Sequence, residues 1–115
     1  MNVLNRLPKK VVNNINYYAD YISNYLNENK IDFSLFLFGS ISKFDYNDDS
    51  DIDLLLLLEK DYSKRECRDI KIEMLYDLDD KGRELDLKVY SKNHFYSTDN
   101  YFENSIQKDL VRLRW

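Results

Sequence analysis

Cysteine, histidine and glycine are scarce in this sequence of 115 residues, and each scarcity excludes something. The single cysteine, Cys67, cannot form a disulfide within the chain, which fits a protein of the reducing cytoplasm. The single histidine, His94, has no metal-binding partners at ligand spacing, which argues against a zinc site. The only glycines are Gly39 and Gly82, so there are few positions where the backbone can turn sharply or approach a ligand closely.

Long apolar runs and an excess of basic residues are also absent. The longest apolar run, residues 54–58, is far too short to span a bilayer, and no apolar stretch near residue 1 predicts a secretory signal. The net charge of -4 argues against a general nucleic-acid binder, since such proteins carry a basic face that neutralises phosphates. With 43% hydrophobic and 33% charged residues, we expect one globular domain over residues 1–115, with neither membrane nor direct nucleic-acid binding.

Hydrophobic periodicity predicts the first half of the fold. Apolar residues recur with a helical period from residue 8 to about residue 29, which predicts an amphipathic helix. Residues 33–38 are apolar and aromatic and predict a buried strand. Residues 51–59 predict a second strand, and because its leucines do not alternate with polar residues, both of its faces should be covered.

The second half begins with a capping box, Ser63 followed by Glu66, which predicts a helix that runs to about residue 81. A strand is predicted over residues 84–90, where apolar and polar residues alternate. One or two helices over 92–107 and a short strand over 110–115 complete the chain. The element order predicts a mixed sheet of about four strands with helices packed on it, an α/β or α+β fold.

Acidic residues are concentrated at positions 48–53, where four carboxylates occur within six residues. Asp51 and Asp53 begin the predicted second strand, and side chains two apart on a strand lie on the same face. Asp86 lies inside the predicted third strand, and it would join them if the two strands pair. Three converging carboxylates suit a hard divalent cation such as Mg²⁺, and two such ions can assist transfer of a nucleotide phosphate.

Gly39 and Ser40 stand where the first predicted strand ends. Gly39 lets the backbone come close to a phosphate group, while Ser40 offers a hydroxyl and an amide. If a helical turn begins here, its free N–H groups favour a bound anion. The pair therefore predicts a phosphate-binding turn next to the acidic residues.

Simpler explanations stay open. An acidic run is usually a solvated loop, and Asp86 taken alone could face solvent beside Lys88. A calcium loop of the EF-hand type beginning at Asp45 fails, because its sixth position is Ser50 rather than glycine and its twelfth is Leu56 rather than glutamate.

The combination of Gly39-Ser40, a spacer of ten residues, Asp51-Ile52-Asp53 and a later strand aspartate resembles the signature of the nucleotidyltransferase superfamily related to DNA polymerase β. The size of the chain and the sequence of residues 49–54, Asp-Ser-Asp-Ile-Asp-Leu, are similar to those of its minimal nucleotidyltransferase (MNT) branch. The resemblance implies that Asp51, Asp53 and Asp86 bind two Mg²⁺ ions and that Asp86 also activates the acceptor hydroxyl. It further implies that Gly39 and Ser40 hold the triphosphate.

The loop after Ser40 departs from the family pattern, which commonly has a small residue, an arginine and a glycine there. The stretch here is Ile41-Ser42-Lys43-Phe44. Lys43 can replace the arginine as a cation facing the phosphates, although as a point charge rather than a fork.

The resemblance implies an enzyme that transfers a nucleoside monophosphate, AMP from ATP, to a hydroxyl. MNT proteins often act as antitoxins that adenylylate a tyrosine of a partner ribonuclease with a HEPN domain, so we expect a HEPN-type toxin as partner. Two alternatives remain. One is an antitoxin that neutralises its partner by contact alone. The other is a small-molecule nucleotidyltransferase of the aminoglycoside-resistance type, although such enzymes usually carry an extra domain.

Tyrosines recur at positions 17, 21 and 25 of the first predicted helix. Tyr25 overlaps the apolar stripe, whereas Tyr17 and Tyr21 widen it. One interpretation is that these side chains are simply partly exposed. The other is that Tyr17 and Tyr21 form a contact face for a partner, because aromatic residues are enriched at interfaces.

Overall fold

The computed structural model describes residues 3–42, 51–76, 78, 85–97 and 110–114. It confirms the predicted α+β architecture of a mixed four-stranded sheet with helices packed on it. The elements in chain order are a 3₁₀ turn (Val3–Arg6), α1 (Lys9–Glu28), β1 (Phe33–Phe38), α2 (Gly39–Ser42), β2 (Ile52–Leu58), α3 (Lys64–Tyr76), β3 (Leu85–Ser91), α4 (Lys92–Ser97) and β4 (Val111–Arg114).

The sheet has the strand order β3-β2-β1-β4. β1 is antiparallel to both β2 and β4, while β2 and β3 are parallel and are joined through α3. A parallel pair needs such a crossover, because the chain must return before it can run in the same direction again. β2 and β3 therefore begin at the same edge of the sheet, and β1 ends there.

The leucine-rich strand β2 is buried on both faces, as its sequence predicts. Leu54, Leu56 and Leu58 join the main core, which lies between the sheet and the helices α1 and α3. Leu55 and Leu57 point to the opposite face and pack in a smaller core with Phe36, Phe38 and Phe95. The main-core residues of α1 are Ile15, Tyr18, Ala19, Ile22 and Leu26.

Local sequence signals fix the ends of the helices. α1 begins after Pro8, whose φ of -57° is already close to helical, and it ends where the Asn29 side chain donates to the Tyr25 carbonyl over 2.8 Å. The capping box of α3 is confirmed. Ser63 N–H donates to Glu66 Oε1 (3.0 Å), and Glu66 N–H donates to Ser63 Oγ (3.1 Å).

Several predicted boundaries differ or lie outside the described residues. The predicted continuation of α3 to residue 81 and its stop at Gly82 fall almost wholly outside them, as does most of the predicted helix 92–107, of which α4 is the described part. The sequence does not predict the 3₁₀ turn at Val3–Arg6, because four residues are too few to show a periodic pattern. Within the described ranges, no helix is both long and apolar enough to cross a membrane.

Two tyrosines join α1 to α3, which corrects part of the contact-face hypothesis. The Tyr21 hydroxyl donates to the Met74 carbonyl over 2.7 Å, and its ring packs against the main core. Burial and the neighbouring Glu73 carboxylate raise the pKa of Tyr25. Tyr17 is 44% exposed, so of the pair proposed as a partner surface it alone is still available as one. The repeat of four residues could not distinguish a helix–helix contact from a partner surface.

We expect Tyr21→Phe to lower the free energy of unfolding by about 1 kcal/mol, because it leaves the Met74 carbonyl without this donor. Tyr76→Phe, at a side chain that is 84% exposed, is the matched control and should change stability by less than about 0.5 kcal/mol. Urea denaturation of both variants measures the difference. Equal stability of the two would mean that the Tyr21 hydroxyl does not hold the helices together.

Candidate active site

The acidic residues meet at the edge of the sheet where β1 ends and β2 and β3 begin. Asp53 is the second residue of β2 and Asp86 the second of β3, and the parallel register places them opposite each other. On the other side of Asp53, the antiparallel register places Phe38, the last residue of β1. The predicted pairing of the second and third strands is thus confirmed, and with it the approach of these two carboxylates.

The Asp53 carboxylate is perturbed by its surroundings. The pKa of Asp53 is raised from 3.8 to about 6, first by burial and then by the charges of Asp86 and Asp51 and a hydrogen bond with Asp86. The charge of Lys88 acts in the opposite direction. In the absence of a bound cation, Asp53 therefore titrates near pH 6. A pair of this kind at the edge of a sheet is a candidate functional site on physical grounds.

Lys88 belongs to the site, although the sequence analysis assigned it no role there. Its Nζ lies 3.3 Å from Asp86 Oδ1. Asp86 and Lys88 are two apart on β3, so both side chains lie on the face of the sheet that carries Asp53. The alternation of residues 84–90 predicts a strand, and the same alternation places Lys88 on the face of Asp86.

Gly39 closes the site from the β1 side. Its φ is +78°, a left-handed conformation that suits glycine and strains other residues. A Cβ at this position would overlap Asp53 Oδ2 and would lie 2.8 Å from Asp53 Cγ. Only a residue without a side chain lets the Asp53 carboxylate occupy this place. The short helix α2 begins at Gly39, where the sequence predicts a turn after β1.

The structure brings some of the predicted site residues together and leaves others untested. Asp53, Asp86 and Gly39 are adjacent, whereas Asp51 is exposed and influences Asp53 through its charge. Ser40 begins α2 next to Gly39, but its side chain and all of Lys43 lie outside the described part of the chain. Among the described side chains, no group of three or more carboxylate, histidine or cysteine ligands is arranged to hold a metal ion. The three-carboxylate site therefore stays a prediction.

The donor set nevertheless suits a divalent cation. Asp53 and Asp86 supply hard oxygen ligands, and burial together with the charge of Asp86 raises the pKa of Asp53. A cation between them would favour both ionised forms and would compete with Lys88 for Asp86.

The two other side chains considered for chemistry are packing residues. Cys67 is buried, burial raises the pKa of its thiol, and its sulfur lies 3.9 Å from Ser91 Oγ. The imidazole ring of His94 stacks with the phenol ring of Tyr90, with ring centroids 6.1 Å apart. Neither residue lies next to the Asp53–Asp86 pair in the sheet.

Comparison with known proteins agrees with this geometry. The family model of the nucleotidyltransferase domain matches residues 19–113, which include both strand aspartates and Gly39. The chain belongs to this nucleotidyltransferase family. The match supports nucleotidyl transfer as its general activity, with a nucleoside triphosphate and a divalent metal as the usual requirements of such domains. No curated protein and no solved structure matches the chain.

We expect Gly39→Ala to destabilise the nucleotidyltransferase domain by about 2 kcal/mol or more, since a methyl group adds left-handed strain and collides with Asp53. Asp53→Ala removes the colliding oxygen and carbon. The double variant should therefore recover part of the loss, with a coupling energy of at least about 0.5 kcal/mol in a double-mutant cycle. Strict additivity of the two changes would contradict the contact.

Stability should depend on pH through Asp53. Because its pKa is raised from 3.8 to about 6, the folded state binds the proton more tightly than the unfolded state. Its contribution is therefore lost as pH rises from about 4 to 6, and above pH 6 the ionised pair carries the full cost. In metal-free buffer, Asp53→Asn should stabilise the protein by about 1–2 kcal/mol at pH 7, after allowance for solvent screening, and have little effect at pH 4.

Thermal or urea unfolding in EDTA between pH 4 and 7 tests this dependence. Asp69→Asn, at an exposed position of α3, is the matched control and should change stability by less than about 0.5 kcal/mol throughout. A stability gain of Asp53→Asn over the wild type that is no larger at pH 7 than at pH 4 would refute the raised pKa.

Proposed function

We propose that this nucleotidyltransferase transfers AMP from ATP to a tyrosine hydroxyl of a HEPN-type toxin and so acts as its antitoxin. The observation that carries the catalytic part is the apposition of Asp53 and Asp86 next to the glycine turn at Gly39. The family match supports the reaction class. The nucleotide, acceptor and partner rest on the resemblance of Gly39-Ser40 and Asp51-Ile52-Asp53 to the MNT proteins.

At the α-phosphorus, the reaction forms one bond and breaks one. The acceptor hydroxyl oxygen bonds to the α-phosphorus of ATP, the bond from that phosphorus to the bridging oxygen breaks, and pyrophosphate leaves. Asp86 accepts the hydroxyl proton in this proposal. It lies at the open edge of the sheet, partly exposed, where an incoming hydroxyl can reach it. Positioning and charge neutralisation supply most of the rate in such reactions.

Other residues hold the nucleotide. The turn at Gly39 brings the backbone close to the triphosphate, while the amide and hydroxyl of Ser40 donate to phosphate oxygens. Lys43 adds a positive charge near the phosphates. Asp51 and Asp53 would hold Mg²⁺ together with Asp86. When bound, two such ions neutralise the triphosphate and polarise the attacking hydroxyl.

A contact-only antitoxin is the second candidate, and one observation favours it. Asp86 is ion-paired with Lys88 over 3.3 Å, so a basic side chain already offsets part of its charge. In that case the acidic pair would be a relic, and neutralisation of the partner would depend on surface contact alone.

Incubation with ATP labelled at the α-phosphate, Mg²⁺ and the protein encoded by the neighbouring gene separates the two candidates. We expect the label to appear on the partner and to fall at least about a hundredfold in Asp53→Asn and Asp86→Asn, because general-base catalysis and metal binding each contribute on that scale. Asp69→Asn should retain full labelling. Parallel reactions with GTP, CTP and UTP identify the base.

The opposite outcome is equally specific. A partner whose ribonuclease activity is silenced equally well by wild-type protein and by Asp86→Asn, with no label transferred, would establish neutralisation by contact alone. Label on neither partner nor small-molecule hydroxyl acceptors, with intact Mg²⁺-dependent ATP binding, would overturn the choice of acceptor rather than the reaction class.

A further inference from the structure

A basic groove lies along the outer edge of β3, and one of its lining residues, Lys88, is the ion-pair partner of Asp86. The groove has a volume of about 220 Å³. α3 contributes one wall through Lys64, Cys67, Arg68 and Lys71, and β3 contributes Lys88, Val89 and Tyr90. The β3 residues come from both faces of the strand and no β2 residue lines the groove, so the groove follows the side of β3 that faces away from β2. Among the described strands, β3 pairs with β2 alone.

Three of the four cations that line this groove lie on α3, and among the described residues only the fourth, Lys88, is paired with a carboxylate, that of Asp86. Lys64, Arg68 and Lys71 have spacings of four and three, which place them on one side of α3, about 10 Å from first to last along the helix. None of the three has an ion-pair partner anywhere in the described residues. The nearby Glu66 is engaged in the helix cap through Ser63. A row of such cations beside a strand edge is complementary to an anionic ligand.

The shape favours an extended polypeptide over other anions. A strand edge presents backbone donors and acceptors that only another extended chain can pair with. Three alternate side chains of such a strand span about 13 Å, which is similar to the length of the row of cations. A polynucleotide is disfavoured, because the chain carries a net charge of -4 and a long phosphate backbone would meet it beyond the groove.

We propose that an extended, acidic segment of a partner protein docks on the outer edge of β3 as an additional strand, with its carboxylates facing Lys64, Arg68 and Lys71. The N–H of Tyr62, two residues before α3, donates to Ser91 Oγ over 2.7 Å, so α3 starts beside the end of β3. From there α3 returns along the sheet toward the edge that carries Asp86. The docked segment therefore leads to the carboxylates of the proposed active site, and this last step alone rests on the proposed function.

The test measures binding of a fluorescein-labelled peptide in which glutamate alternates with threonine or valine. Fluorescence polarisation in EDTA, at about 50 mM salt and without nucleotide, keeps the measurement independent of catalysis. We expect Arg68→Glu/Lys71→Glu to raise the dissociation constant at least about tenfold. Lys9→Glu/Lys10→Glu, at exposed positions in the first turn of α1, makes the same change in net charge and should leave the constant within about twofold.

Further arms identify what the groove recognises. Methylation of alternate peptide amides keeps the charge but blocks strand pairing, so it should abolish most of the binding. Equal binding of the methylated peptide, or equal competition by tripolyphosphate or a short oligothymidylate, would overturn strand docking and leave a general anion site. If the glutamate variant does not fold, Arg68→Gln/Lys71→Gln replaces it, with Lys9→Gln/Lys10→Gln as the control.

Failure of this inference and failure of the proposed function give different results. Peptide binding by a wild-type protein that transfers no label from ATP to any acceptor would sink the transfer reaction and leave the docking site. Label transfer to a partner that is unaffected by Arg68→Glu/Lys71→Glu would sink the docking site and leave the reaction.

Discussion

The site depends on the hydrogen-bonded registers that fix β2 between β1 and β3. One register sets Phe38 opposite Asp53, and the other sets Asp53 opposite Asp86. Because β2 is buried on both faces, this strand cannot shift without disturbing two cores at once. The burial of ordinary leucines therefore supplies the rigidity with which two repelling carboxylates are held side by side.

Much of this could be predicted from the sequence, because the signals were local and strong. The aromatic strand β1, the double-sided burial of β2 and the capping box of Ser63 and Glu66 each follow from a short pattern with a direct physical cause. The placement of Asp86 next to Asp53 depends on a pairing between strands that are distant in sequence. This pairing could still be predicted, because two strands joined by a helix usually lie side by side and parallel.

The remaining features could not be predicted from the sequence, because each depends on which elements pack together in the folded chain. The role of Tyr21 depends on which helix packs against α1, and a periodic pattern does not name its neighbour. The role of Lys88 depends on the direction of β3 and on which of its faces carries Asp86 in the folded sheet, and a single strand pattern determines neither. The basic row on α3 looked like an ordinary solvated helix surface until the fold showed that it borders a strand edge.

The five consecutive leucines of β2 have one more consequence, which concerns the choice of alignment during folding. Within such a uniform stretch, every offset buries the same side chain, so hydrophobicity cannot distinguish the native alignment from its neighbours. The distinction must come from the ends, where an offset of one residue would turn the Asp53 carboxylate into the main hydrophobic interior. Ionised Asp53 is costly in the folded protein, but the same charge disfavours the misaligned sheets and so selects the native register.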